Sequence, residues 1–173
     1  MSQDGSVPVI SVVGKSGVGK TTALERIIAE LKHRGYRVGT VKHDTHGFDV
    51  DRPGKDSWRH AQAGSDAVVI SGPHRLALIR KLDGEMPLEE IVRLMPGLDL
   101  VITEGYKRGD KPKIEVARRE RGTELLCRAE ELIGIMTDYR VDLPVPQFPL
   151  DDASGVVDLL EELYLRDVKE ANR

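Results

Sequence analysis

Val7-Pro8-Val9-Ile10-Ser11-Val12-Val13, followed by Gly14-Lys15-Ser16-Gly17-Val18-Gly19-Lys20-Thr21, is the stretch whose reading decides the fold. The first seven residues are a β-branched run that ends at a glycine, the pattern of a buried strand. After the glycines, Leu24, Ile27, Ile28 and Leu31 recur at i, i+3, i+4 and i+7, which is helical period. The helix is expected to stop near Gly35, after Lys32-His33-Arg34, three basic residues that suit the negative end of a helix dipole. The order is therefore strand, glycine loop, helix, and the loop matches G-x-x-x-x-G-K-[ST] in the context that pattern requires.

The chemistry follows from the backbone. Glycines let the chain fold into a concave nest whose N–H groups point inward, and the next helix adds unpaired N–H groups and the positive end of its dipole. Anionic oxygens are held there. The candidate phosphate-binding set is Gly14, Lys15, Ser16, Gly17, Val18, Gly19, Lys20, Thr21 and Thr22. Lys20 is expected to reach the β- and γ-phosphates, and the Thr21 hydroxyl to ligate Mg²⁺.

Outward from this stretch, strands alternate with helices. Strands are predicted at Arg37 to Lys42, Ala67 to Ile70, Leu76 to Ile79, Leu98 to Thr103, Lys113 to Arg118 and Leu132 to Met136. Helices are predicted from Ser57 to Ala63, closed by Gly64, and across Leu88, Ile91, Val92 and Met95, opened by Pro87 and ended by Pro96-Gly97. Pro144, Pro146 and Pro149 interrupt the chain before a last helix announced by Asp151-Asp152-Ala153-Ser154. The predicted fold is α/β: a three-layer P-loop NTPase-like domain, a mostly parallel sheet with helices on both faces, whose ligands sit beyond the carboxyl ends of the strands. One domain is expected over residues 7–166, with a flexible N-terminus at 1–6 and a polar tail at 167–173.

Composition narrows the function classes. Hydrophobic residues are 39% and 17 glycines add to them, a globular composition. With 26 Lys and Arg against 29 Asp and Glu the net charge is −3, so no domain-wide positive field is present to hold nucleic acid. The single cysteine, Cys127, excludes an internal disulfide framework and fits a reducing cytosol. No signal-peptide pattern and no apolar run of membrane-spanning length occurs, and a cytoplasmic protein without membrane association is expected.

Further site candidates lie after the strands. Glu104 ends a buried apolar run and is the better carboxylate for Mg²⁺, directly or through a water, while Asp99 is expected to cap the solvent end of that strand. The alternative for Glu104 is a surface ion pair with Lys107 or Arg108. His43 and His46 form His-x-x-His, either a metal site or solvated loop residues. Asp44 is a candidate to orient an attacking water at the γ-phosphate, acting with Lys20 as the catalytic pair. Arg52, Gly54 and Lys55 are either phosphate-closing residues or the turn of a capped helix start. The basic residues Lys107, Arg108, Lys111 and Lys113 either hold a second anion or are solvated.

Taken together, the glycine loop, the run from Val41-Lys42-His43-Asp44 to Arg52-Pro53-Gly54-Lys55-Asp56-Ser57-Trp58-Arg59-His60, and Ile102-Thr103-Glu104-Gly105-Tyr106-Lys107 with Lys113-Ile114-Glu115-Val116 resemble the MobB family of molybdopterin-guanine dinucleotide biosynthesis adapter proteins. The likeness runs from Val7 to about Arg118. It implies a homodimeric GTP-binding protein with feeble GTPase activity, working in molybdenum cofactor biosynthesis. It also implies a partner, the guanylyltransferase that joins GMP to molybdopterin, and a ligand, molybdopterin or its guanine dinucleotide. No Asn-Lys-x-Asp element is present to read guanine; Asp138, after the strand Leu132 to Met136, either accepts from the guanine N1–H and N2–H₂ donors or is an ordinary turn acid. Lys15 makes the loop similar to that of the MinD and ParA type of dimeric ATPase, in which the extra lysine crosses to the partner's nucleotide, although those proteins carry glycine at the position of Ser16; a surface lysine is the other reading. Two rival functions share the loop: a small-molecule kinase with Arg118, Arg119 and Arg121 as a lid, and a metallochaperone GTPase using His43 and His46.

Overall fold

The computed structural model describes residues 7–45, 47–166 and 168. The expected N-terminal segment, His46 and most of the polar tail lie outside them. The chain divides into two compact units, one formed by Met1–His43 with Met95–Arg173, the other by Asp44–Leu94.

In the first unit, the glycine-flanked β-branched run forms β1 (Val9–Val13) and the periodic segment forms α1 (Lys20–His33). β2 (Val38–Lys42), β5 (Leu100–Glu104), β6 (Lys113–Ala117), β7 (Leu132–Thr137) and the two-residue β8 (Gln147–Phe148) complete a six-stranded sheet in the order β2-β5-β1-β6-β7-β8. Every pairing in it is parallel. β8 lies inside the proline-rich segment, where the sequence pattern predicts no strand. Prolines are tolerated beside this edge because β8 is short and receives Ile135 N–H at the Pro146 carbonyl, 2.9 Å. Chain order reverses across β1, whose neighbours are β5 on one side and β6 on the other. A ligand crevice in a parallel sheet opens at such a switch point, outside the carboxyl ends of the strands.

Alternation along the strands builds two cores. Ile10 and Val12, Leu100 and Ile102, Ile114 and Val116, and Met136 face α1 and α4 (Ala153–Leu160) in one apolar cluster. α1 contributes Ala23, Leu24, Ile27 and Leu31, the face its period anticipated. The other side of the sheet carries Val13, Leu132 and Ile135, covered with Cys127 by Leu125, Val141, Leu143 and Val145 from irregular chain. Prolines 144 and 146 bar a helix there. Arg34 fastens α1 to α4, donating to Glu30 at 2.7 Å, Asp158 at 2.6 Å and Glu161 at 3.1 Å.

The second unit holds α2 (Asp56–Gln62), α3 (Leu88–Arg93) and an antiparallel hairpin, β3 (Ala67–Ser71) with β4 (Leu76–Arg80). The hairpin is a sheet of its own and does not join the parallel one. Val68, opposite Ile79, is buried, whereas Val69, Leu76 and Leu78 on the opposite face are exposed.

Candidate functional site

Gly14 leaves β1 with φ of +151°, and a Cβ there would collide with the Val116 carbonyl of β6. Only glycine lets the chain turn this close to the neighbouring strand. Gly17 and Gly19 also have positive φ, at +75° and +92°. Between them Val18 is buried in the core, which anchors the crest of the loop from beneath. Gly19 is the N-cap of α1 and supplies no side-chain cap, and no acidic residue occupies the first helical turn. The first N–H groups of the helix are thus left for a ligand.

Two side chains complete the cradle. Lys20 Nζ donates to the Lys15 carbonyl at 2.9 Å, which draws the ammonium back over the loop. Thr21 Oγ1 donates to Glu104 Oε1 at 3.1 Å. Glu104 is the last residue of β5 and lies in register with Val12 of β1 and Lys42 of β2, so the carboxylate emerges at the carboxyl edge beside the loop. The alternative ion pair with Lys107 or Arg108 is not formed among the described residues, and the pairing of hydroxyl and carboxylate is an all-oxygen set suited to a magnesium ion. The glycine cradle, the free helix N-terminus and this oxygen pair together fit a magnesium-bound nucleoside phosphate.

Around Glu104, the structure adds features that sequence reading missed. His43 N–H donates to the Glu104 carbonyl at 3.0 Å, and the His43 ring stacks on Tyr106 with centroids 4.4 Å apart and planes 25° from parallel. Tyr106 adopts a positive φ of +52°, and a Cβ on Gly105 would lie 3.2 Å from the His43 Cβ. The Gly105-Tyr106 pair carried the signal: a glycine at the end of a buried strand marks a close approach. His46, the other half of the His-x-x-His pair, lies outside the described residues, and among those described no group of three His, Cys, Asp or Glu side chains is placed to hold a metal.

Asp138 follows β7 and is exposed, with Oδ1 accepting from Arg119 N–H at 2.9 Å. It stands at the same carboxyl edge as the loop and Glu104. Asp44, Arg52, Gly54 and Lys55 belong to the second unit. There Gly54 has φ of +85°, Lys55 N–H donates to the Arg52 carbonyl at 3.2 Å, and Lys55 is the N-cap of α2. Asp51 Oδ1 accepts from Arg52 N–H at 2.9 Å and from the Ser57 hydroxyl at 3.0 Å, so the segment is at least the turn of a helix start.

Two expectations are corrected. Asp99 does not face solvent: it is buried and forks onto Arg37, with contacts of 2.7 Å to the backbone N–H and 2.7 Å to Nη2. The Arg37 guanidinium holds its carboxyl below the usual carboxylate range. Lys113 is not part of a solvated basic loop; it starts β6, fully buried, with Nζ donating to the Gly109 carbonyl and to Glu131 at 3.0 Å. The alternation of β6 carries it inward.

Comparison with known proteins agrees with this fold. Residues 9–138 match the family model MobB, molybdopterin guanine dinucleotide synthesis protein B. The chain is 33% identical over 162 residues to the molybdopterin-guanine dinucleotide biosynthesis adapter protein of Escherichia coli strain K12, covering 90% of this chain and 93% of that one. It is 32% identical over 157 residues to the protein so named in Haemophilus influenzae, covering 90% and 88%. A crystal structure of molybdopterin-guanine biosynthesis protein B superposes with a TM-score of 0.70 at 31% identity over 90% of this chain and 99% of that one. That of Bacillus subtilis MobB gives 0.71 at 26% identity over 90% and 98%. With a parallel sheet that switches at a glycine loop, a Thr21–Glu104 oxygen pair, and relatives that match along nine-tenths of its length, this chain belongs to the MobB family.

Proposed function

We propose that this protein is a GTP-binding adapter of molybdopterin guanine dinucleotide biosynthesis, with slow GTP hydrolysis. The observation that carries the reading is the cradle itself: three positive-φ glycines, an uncapped helix N-terminus and the Thr21–Glu104 pair converge at the switch point of the sheet. The backbone N–H groups from Gly17 to Thr22 and the Lys20 ammonium bind the phosphate oxygens. Thr21 and Glu104 hold the magnesium ion, which when bound neutralises charge on the phosphates. Asp138, at the same edge, retains Oδ2 for the guanine donors while Oδ1 holds the Arg119 N–H. Asp44 follows His43 directly in the chain and orients water for hydrolysis. The guanylyltransferase is the partner, molybdopterin or its guanine dinucleotide the shared ligand, and a homodimer in the cytoplasm the working form. Guanine preference and the partner are supported by the resemblance to the family, magnesium by the Thr21–Glu104 oxygen pair.

Calorimetric titration with GTP, ATP and GDP, each with and without Mg²⁺, tests the reading. GTP with Mg²⁺ binds tightest, and Lys20→Ala abolishes detectable binding of all three. Wild-type affinity in Lys20→Ala, or no binding of either triphosphate by the native chain at millimolar concentration, refutes it.

A further inference from the structure

We propose that Arg118 and Arg121 are phosphate-binding residues of this same site, two guanidiniums supplied by the turn after β6 that grip the tail of a nucleoside polyphosphate. The inference rests on the reading of residues 14–21 as a nucleotide site and goes beyond it in naming the cations that complete the site.

The turn is held in place independently of any ligand. β6 is the parallel neighbour of β1, so the chain leaving Ala117 emerges beside Gly14. Arg118 is extended, and a 3₁₀ turn over Arg119–Arg121 is closed by Arg121 N–H on the Arg118 carbonyl at 2.9 Å and Gly122 N–H on the Arg119 carbonyl at 3.0 Å. Asp138 fixes the turn through the Arg119 N–H, and the Arg119 guanidinium is directed away, 5.5 Å over the Tyr139 ring. The other two arginines face the glycine loop. Arg118 Nε donates to the Val18 carbonyl at 2.9 Å. Arg121 lies against Gly17, its Nη2 only 2.9 Å from where a Cβ would stand. Lys15 Nζ donates to the Arg121 carbonyl at 3.3 Å, joining the loop to the same turn.

Lys15, Lys20, Arg118 and Arg121 therefore surround one loop, and among the described residues none of them forms an ion pair. The nearby carboxylates are otherwise engaged or unpaired: Glu104 accepts from Thr21, Asp138 from Arg119 N–H, and Glu120, in the turn itself, makes no ion pair among the described residues. The opposite end of the sheet shows what a purely structural cluster looks like. A cavity of about 470 Å³ there is lined by Arg108, Lys113, Arg128, Glu130 and Glu131, and two of these three cations are matched, Lys113 to Glu131 at 3.0 Å and Arg128 to Glu130 at 3.2 Å. Four unmatched like charges repel one another, and a polyanion relieves the repulsion. A guanidinium presents a planar fork of donors that fits phosphate oxygens. Arg118 spends one donor on Val18; the Arg121 side chain spends none among the described residues.

The test measures the dissociation constant of the full chain for GTP with Mg²⁺ across a range of salt concentrations, for the native protein, Arg121→Gln, Arg121→Lys and the double change Arg118→Gln with Arg121→Gln. Arg121→Gln weakens binding about tenfold, as expected for a charged hydrogen bond lost, and makes the salt dependence shallower. Arg121→Lys regains part of the affinity, the double change loses more, and the melting temperature of Arg121→Gln without nucleotide stays that of the native chain. Native affinity in both glutamine variants overturns the proposal, as does a loss that Gln and Lys share equally with an unaltered salt dependence. If the native chain itself binds no nucleotide, the nucleotide-site reading falls and takes this one with it; if the native chain binds and the variants bind equally, only this one falls.

Discussion

Residue by residue, the site is made by groups whose roles follow from where a strand ends. Glu104 sits at the last position of a buried parallel strand, the one place on β5 where a carboxylate reaches the ligand edge without being buried among apolar side chains. Its contact with Thr21 gives the pair a shared task. Glu104→Gln keeps the hydrogen-bonding oxygen but removes the charge, so nucleotide binding in the presence of Mg²⁺ weakens by about tenfold or more while Mg²⁺-free binding changes little. Equal weakening in calorimetric titrations with and without the ion makes Glu104 structural. Asp44→Asn, by contrast, keeps affinity and lowers phosphate release; unchanged turnover removes Asp44 from hydrolysis.

Among the elements, β6 shows how a strand serves both ends of the sheet. Its first residue, Lys113, is a buried cation matched by Glu131, and the chain beyond its last residue, Ala117, delivers Arg118 and Arg121 to the loop. Glu131 accepts from the Arg128 N–H and then from Lys113, and these bonds hold its carboxyl down at about 2, against an ordinary 4.5. A folded-state value below the unfolded one stabilises the fold fully above pH 4.5, and the gain is lost as pH falls through that range toward 2. Thermal melts of native protein and Glu131→Gln from pH 7 to pH 2.5 therefore converge on the acidic side, with the native chain the more stable at neutral pH. A gap between the two that stays constant with pH contradicts the assignment. Glu115, also on β6 and buried, accepts from the Leu126 and Cys127 N–H groups, tying down the irregular chain that covers the second face of the sheet.

For the whole molecule, the two units pose different physical problems. The first buries a sheet between α1 with α4 and a covering of irregular chain, and no helix among the described residues is long and apolar enough to cross a membrane. The second relies on a two-stranded hairpin, a structure of marginal stability alone. Its face bearing Val69, Leu76 and Leu78 is exposed by 56%, 71% and 47%, and both of its strands have an unpaired edge. Such a surface favours association, which supports the homodimer proposed above. Sedimentation equilibrium of the native chain gives twice the chain mass, and Leu78→Asp shifts it toward one; a native monomer at micromolar concentration refutes the dimer.

The sequence by itself determined what depends on local chemistry. A glycine pattern between a β-branched run and a helical period favours one backbone path, so β1, the loop and α1 were legible in the sequence, as was the place of Glu104 at the end of a buried strand. The strands of the parallel sheet were legible for the same reason, except β8, whose two residues lie among prolines and leave no periodic trace. Tertiary structure alone decided which cation is buried and by what it is matched: Lys113 and Lys111 both belong to a basic stretch of sequence, and the register of β6 against β7 carries Lys113 inside to Glu131 while Lys111 pairs with its neighbour Asp110. It also set Arg118 and Arg121 against a loop some hundred residues earlier in the chain, and placed β3 with β4 outside the parallel sheet. Pairing between distant segments depends on the whole set of competing contacts, and periodicity within a window holds no record of it.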